Sequence, residues 1–165
     1  MSAGSMDRRM NEPGTTGRSS GTHEEENKNL VRRSLEEIWG KYDVSAIDRY
    51  YATNFVDHTP APGVSPNREG IKKSVNLYGK AFPNSHLTVE DIIAQGDEVA
   101  ARFTFHGKHT GELQGIAPTG KDVKLFGLTI CRVENGKVVE SWESMDQLQL
   151  LQQIGAAQPP QPGKR

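Results

Sequence analysis

Thiols are almost absent from these 165 residues, and Cys131 stands alone. A single cysteine excludes an internal disulfide framework and any metal site built from several cysteines. Its place inside the apolar run LFGLTICRV marks it as a small buried filler rather than a nucleophile. An excess of either charge is also missing. The 20 basic residues meet 21 acidic ones, a net charge of −1, so no global field draws the chain to nucleic acid or to an anionic membrane surface. No run approaches the roughly 20 apolar residues of a membrane span, and the stretch before Leu30 holds no apolar segment of a secretory signal. There is no phosphate-cradling glycine loop, dinucleotide fingerprint or Gly-x-Ser-x-Gly elbow, and no serine has a histidine partner in sequence. These absences point to a cytoplasmic protein with no nucleic-acid or membrane partner, whose chemistry, if any, is acid–base.

What is present falls into three parts. Residues 1–23 are rich in Gly, Ser, Thr, Asn and Arg, with too little apolar surface to offset the entropy of ordering. They read as a disordered tail, as does the proline-rich segment 156–165. Residues 24–155 make one domain. Thr22 and Glu25 resemble a capping box, and Leu30, Val31, Leu35, Ile38 and Trp39 then recur at helical spacing. Asp43 can cap a short second helix carrying Val44, Ile47, Tyr50 and Tyr51. A third helix follows from Asn67 with Ile71, Val75, Tyr78 and Phe82 on one stripe, ended by Pro83. Between them, DHTPAPGVSPN must be irregular.

After Pro83 the period changes to two. HLTVEDIIAQ, EVAARFTFHGKH, KDVKLFGLTICRV and KVVESWESM read as strands, with Asn135-Gly136 a strong hairpin signal. DQLQLLQQIG reads as a closing helical turn. Helices first and strands afterwards means α+β: a curved antiparallel sheet with about three N-terminal helices on its concave face. Such a cone has an open end, a natural pocket.

Few polar groups are placed to work there. With strict alternation from the Asn135-Gly136 turn, Asp146 shares a face with Trp142 and Glu140 and lies across from Leu125, so a carboxyl beside Trp142 would have its pKa raised by desolvation. The competing reading makes Asp146 an N-cap, with Gln149 at the third helical position. His58, ahead of the proline loop, is either a proton shuttle at the pocket mouth or an ordinary loop histidine, while Asp57 reads as bonded to its own turn. His106 and His109 face opposite sides of a regular strand, and no ligand spacing supports a metal. Arg102, in mid-strand, calls for a carboxylate partner. Strict alternation puts Arg132 on the face opposite Asp146.

The segment HTGELQGIAPTGK followed by RVENGKVVESWESMDQLQLLQQIG, together with YYATNFVDHTP and EDIIAQGDEVAARF, resembles the SnoaL-like polyketide cyclase (ester cyclase) family of the nuclear-transport-factor-2-like superfamily. The resemblance covers about residues 28–155. It implies a cone fold and an intramolecular aldol condensation closing a ring on a small hydrophobic carbonyl compound, with no metal or cofactor. It implies Asp146 as catalytic acid/base and His58 as its assistant, and Gly111 and Gly115 as turn glycines at the cavity rim. His109, Trp142, Arg102, Arg132, Tyr51 and Phe105 are the candidate pocket lining. Superfamily members often pair through the open sheet face, so the resemblance is compatible with a homodimer. Two departures stand out: Arg132 falls at or near the family's second histidine, where a guanidinium cannot shuttle protons, and Ser141 stands where many relatives have histidine. The alternatives are a non-catalytic binder of a small hydrophobic ligand, or an isomerase or epoxide-hydrolase chemistry on the same fold.

Overall fold

The computed structural model describes residues 20–158. The expected tails fall largely on residues 1–19 and 159–165, outside the described residues. Chain order is α1 (Ser20–Ser34), a π turn (Leu35–Trp39), a 3-10 turn (Val44–Ala46), α2 (Ile47–Tyr50), β1 (Tyr51–Asp57), α3 (Arg68–Ala81), β2 (His86–Gln95), β3 (Glu98–Lys108), β4 (Asp122–Glu134), β5 (Lys137–Met145) and α4 (Gln147–Gln153). The five strands form one sheet in the order β1-β5-β4-β3-β2, antiparallel except where β1 runs parallel to β5. This is the expected α+β architecture.

The caps fall mostly where side chains allow them. Asn67 accepts from the Gly70 N–H at 3.2 Å and starts α3, and Asp43 accepts from Ser45 N–H at 3.0 Å. Thr22 does not start a helix, because the chain is already helical at Ser20. Tyr51 leaves the second helix and opens β1, a strand the sequence does not announce. Its residues do not alternate; what makes it a strand is backbone pairing with β5, Val56 opposite Glu140 and Asp57 opposite Ser141.

The hairpin turn forms as expected, with Asn135 (φ 49°) and Gly136 (φ 72°) both left-handed. One step further on, the register slips. Glu134 faces Lys137 and Val133 faces Val138, but Arg132 faces Glu140, so Val139 is an extra residue in β5. A one-residue slip turns every later side chain to the other face. Ser141, Glu143 and Met145 therefore point toward the helices, while Glu140 and Trp142 point away. This bulge corrects the face assigned by strict alternation, and it decides the site.

The core lies in two clusters. One joins Val31, Leu35, Ile38, Ile47 and Tyr51 to Val99, Cys131 and Val138. The other joins Phe82 to Phe105, Leu113, Val123, Leu125, Leu150 and Ile154. Gly127, in the middle of β4, faces Phe103 across the ladder, and a Cβ there would collide with the Phe103 ring. Glycine lets that ring lie flat over the sheet, where it becomes cavity wall. Cys131 is buried beside Thr129, and burial pushes its thiol up to about 12. It is the inert filler the sequence indicated. Among the described residues no helix is long and apolar enough to cross a membrane.

Candidate active site

Between sheet and helices lies a cavity of about 560 Å³, within the range of small-molecule sites. Its walls are mostly apolar: Leu35 and Trp39 from the π turn, Tyr78 from α3, Phe103 and Phe105 from β3, Leu150 from α4. Single π turns within helices recur at functional sites; here the turn supplies two wall residues. The proline loop after β1 forms part of the wall through Thr59, Pro60, Pro62 and Val64. Two bonds tie it to β5. The His58 N–H donates to Ser141 O at 2.9 Å, and the Glu143 N–H donates to Thr59 Oγ1 at 2.7 Å.

Two carboxyl groups line this cavity, Glu143 and Asp57. Glu143 is half-buried by accessible surface, because the cavity reaches it, yet protein surrounds it closely enough to desolvate its carboxylate. Desolvation, and next the negative charge of Asp57, push it up to about 7. Among the described residues no side chain or backbone group bonds its carboxylate oxygens. Asp57 Oδ1 accepts from Thr59 N–H at 2.9 Å, the bond to its own turn that the sequence suggested. Thr59 thus links the two acidic residues. Tyr51 and Tyr78 stand close enough for the Glu143 charge to raise their phenols further, after burial has done most of it. Both phenols line the cavity, with the hydroxyls of Ser74, Thr129 and Ser141.

The residues singled out from sequence separate into distinct places. Tyr51 and Phe105 line the cavity. Asp146 does not. It is exposed, and its Oδ1 accepts from Gln149 N–H at 2.8 Å as the N-cap of α4. Of its two readings, the exposed side chain and the bond to Gln149 match the N-cap. His58 and Trp142 also lie off the cavity lining. Their rings stack with centroids 4.4 Å apart and 4° between planes, and His58 Nε2 lies 3.0 Å from Glu140 Oε1. Arg132 joins them, paired with Glu140 and Glu134. Its guanidinium first, and His58 next, hold the Glu140 carboxyl below the usual range. This group belongs to the outer face, because the bulge rotates Arg132 into register with Glu140. Arg102 is on that face too and has its carboxylate partner, Asp91, with Nε to Oδ2 at 3.0 Å.

His109 is fully buried but lies outside the cavity wall, in the second core cluster's territory. Its ring packs 5.5 Å from Phe82, and its Nδ1 accepts from Thr119 N–H at 3.3 Å. Its backbone N–H donates to Lys121 O and its carbonyl accepts from Gly120 N–H. It fastens the glycine-rich connection between β3 and β4 from inside. Among the described residues no group of three or more His, Cys, Asp or Glu gathers as a metal site would.

Sequence reasoning missed Glu143. The signal was the doublet Val138-Val139, two β-branched apolar residues in series where alternation calls for one. Both are buried, and the register slips at Val139.

Helices laid over a curved, mostly antiparallel sheet around an interior cavity give the nuclear-transport-factor-2-like fold. The comparisons place it further: the SnoaL-like polyketide cyclase profile matches residues 29–154, and the chain belongs to that family. Its structure is similar to one described as a polyketide cyclase from Bacillus cereus, at 31% identity over 79% of this chain and 81% of that one, with a TM-score of 0.71. It is similar to AclR of Streptomyces galilaeus, described as a hydroxylase, at 32% identity over 84% and 89% with a TM-score of 0.72. It is also similar to IdmH of Streptomyces antibioticus, described as a polyketide cyclase, at 29% identity over 78% and 98% with a TM-score of 0.68. A comparison with curated proteins gave no match.

The exposed N-cap makes Asp146 testable. Asparagine caps a helix about as well as aspartate, whereas alanine costs roughly 1 kcal/mol. Asp146→Asn is expected to keep both stability and turnover, and Asp146→Ala to lose stability alone. A fall in turnover of a hundredfold in the Asn variant, with the fold intact, would return the acid/base role to Asp146.

Proposed function

We propose that this protein is an acid–base enzyme acting on a small hydrophobic carbonyl compound, with Glu143 as its proton-transferring group. One observation carries the reading: a carboxyl poised near 7 on the wall of an apolar cavity. A group that holds and releases a proton near the working pH is what general acid–base catalysis requires. The ring-closing aldol condensation of the family fits. The Glu143 carboxylate takes the proton α to a carbonyl, forming an enolate. Tyr78 or Tyr51 donates a hydrogen bond to the enolate oxygen. The enolate carbon attacks a second carbonyl, and the protonated Glu143 returns its proton to the new alkoxide. The cavity holds both ends of the flexible chain together, and that pre-organisation supplies much of the acceleration. The chain's own groups suffice for every proton in this scheme.

The test is the pH profile of kcat/KM on a cyclisable 1,3-dicarbonyl ester. Activity is expected to rise through an inflection near pH 7 in the wild type. A profile flat from pH 5 to 9 would sink the assignment, and a retained ligand without turnover would leave the binding-module reading.

The outer sheet face supports a homodimer. Phe126, Leu128 and Ile130 on β4 and Ile93 on β2 are exposed there, large apolar side chains on one face of the kind that marks an interface. We propose that two copies pair through it. Light scattering is expected to show a dimer that Leu128→Glu converts to monomer; a monomeric wild type at micromolar concentration would refute the pairing.

A further inference from the structure

The cavity's charge is one-sided. Among the described residues that line it, two are acidic, Asp57 and Glu143, and none is Lys, Arg or His. The cationic groups nearby in sequence are committed elsewhere: Arg132 to Glu140 and Glu134, Arg102 to Asp91, and Lys137 to the carbonyls of Asp48 and Arg49. Facing the carboxyls are aromatic rings: Trp39 from the π turn, Tyr51 from β1, Tyr78 from α3, Phe103 and Phe105 from β3. Ring faces and carboxylates attract the same partner, a cation with a hydrophobic body. The Glu143 carboxylate points into this space without a bonding partner among the described residues. An anionic ligand would add negative charge to an apolar hollow that holds two acidic groups and no cation. A metal ion would need more ligands than two carboxylates.

We propose that the cavity selects a hydrophobic monocation, an aromatic or alicyclic compound bearing a protonated amine seated between Asp57 and Glu143 against the aromatic wall. The inference rests on the same cavity as the acid–base reading and names its ligand class, but it does not depend on turnover. It has a thermodynamic signature. The groups facing Glu143 are Asp57 and Tyr51 from β1, Tyr78 from α3 and Cys131 from β4. None of them is a cation, so nothing else compensates the Glu143 charge. A bound ammonium supplies that compensation, favours the ionised carboxyl and expels its proton. By linkage, the proton released measures the coupling.

The test is isothermal titration calorimetry of the full chain with three matched probes: 2-naphthylmethylamine, 2-naphthalenemethanol and 2-naphthoate. At pH 6.5 the amine is expected to bind at least about tenfold tighter than the alcohol, and the carboxylate weakest of the three. Repeating the amine titration in two buffers of different ionisation enthalpy is expected to show release of about half a proton or more per ligand, with none for the alcohol. Glu143→Gln is expected to abolish the release, and Asp57→Asn to shrink the amine's advantage. Equal or tighter binding of the alcohol or the carboxylate, binding of none of the three at millimolar concentration, or an amine preference untouched by both substitutions would overturn the inference. A separate carboxyl 13C titration tells its failure from that of the acid–base reading. Glu143 titrating near 7 without amine preference sinks only the ligand class. Glu143 titrating near 4.5 sinks the acid–base role.

Discussion

Glu143→Gln is expected to lower kcat by ~10²–10⁴-fold while leaving the protein more stable at pH 8 than the wild type. The two effects come from one cause. Glu143 is desolvated on the wall of the cavity, beside Asp57, and its carboxyl is raised from 4.5 to about 7. In the unfolded chain the same group titrates near its ordinary value. Between those two values the folded state holds more protons than the unfolded state, so stability falls as pH rises through this window. Below about 4.5 the group is neutral in both states and costs nothing. Above about 7 the folded protein carries the penalty of an ionised carboxyl in an apolar hollow, on the order of 3 kcal/mol. Glutamine keeps the shape and removes the charge. Its melting temperature is therefore expected to exceed the wild type's by roughly 6–12 °C at pH 8 and to match it near pH 4.5. Differential scanning calorimetry across that range checks the sign directly. A variant destabilised at pH 8 would show that Glu143 is not desolvated, and one that keeps its activity and its inflection would show that Glu143 is not catalytic. Stability given up at a functional group is a common trade, and here the pH at which it vanishes is specified.

Phe82→Ala is expected to cost about 3–5 kcal/mol, the range for truncating a large aromatic side chain in a packed core. The ring is fully buried where α3 ends. It lies 6.1 Å from Tyr78, 5.4 Å from Phe105 and 5.5 Å from His109, measured between centroids. It therefore joins the helix, the third strand and the glycine-rich connection. Its backbone closes the same corner, with its N–H donating to Tyr78 O at 2.8 Å and its carbonyl accepting from Tyr42 Oη at 3.2 Å. Two of its ring neighbours, Tyr78 and Phe105, are cavity wall, so the loss should also loosen ligand binding. Urea unfolding is expected to show a lower midpoint with an unchanged slope. A loss below about 1 kcal/mol would mean that the neighbours collapse into the space, and that the wall is softer than its packing indicates.

The site was legible in part, and the residues show where reading stopped. Tyr51 and Phe105 are found in the wall because large aromatics near the open end of a cone have few other places to go. Asp57 was seen as a turn residue, which it is, while its cavity-facing position depends on β1, a strand stabilised by its partner rather than by its own pattern. Asp146 carried both readings from the start, and the hydrogen bond to Gln149 N–H favours the cap. Glu143 was missed because one surplus residue, Val139, reverses the inward and outward sense of everything after it in β5.

The chain's own pattern determined the class of fold, the positions of four of the five strands, the hairpin at Asn135-Gly136, the cap at Asn67 and the inert burial of Cys131. These depend on local periodicity, turn chemistry and apolar content, which act over a few neighbouring residues. Tertiary structure decided which carboxyl faces the hollow. That choice depends on a register between strands and on the desolvation imposed by walls drawn from α3, β3, β5 and the π turn. Neither quantity exists until segments far apart in sequence have packed against one another.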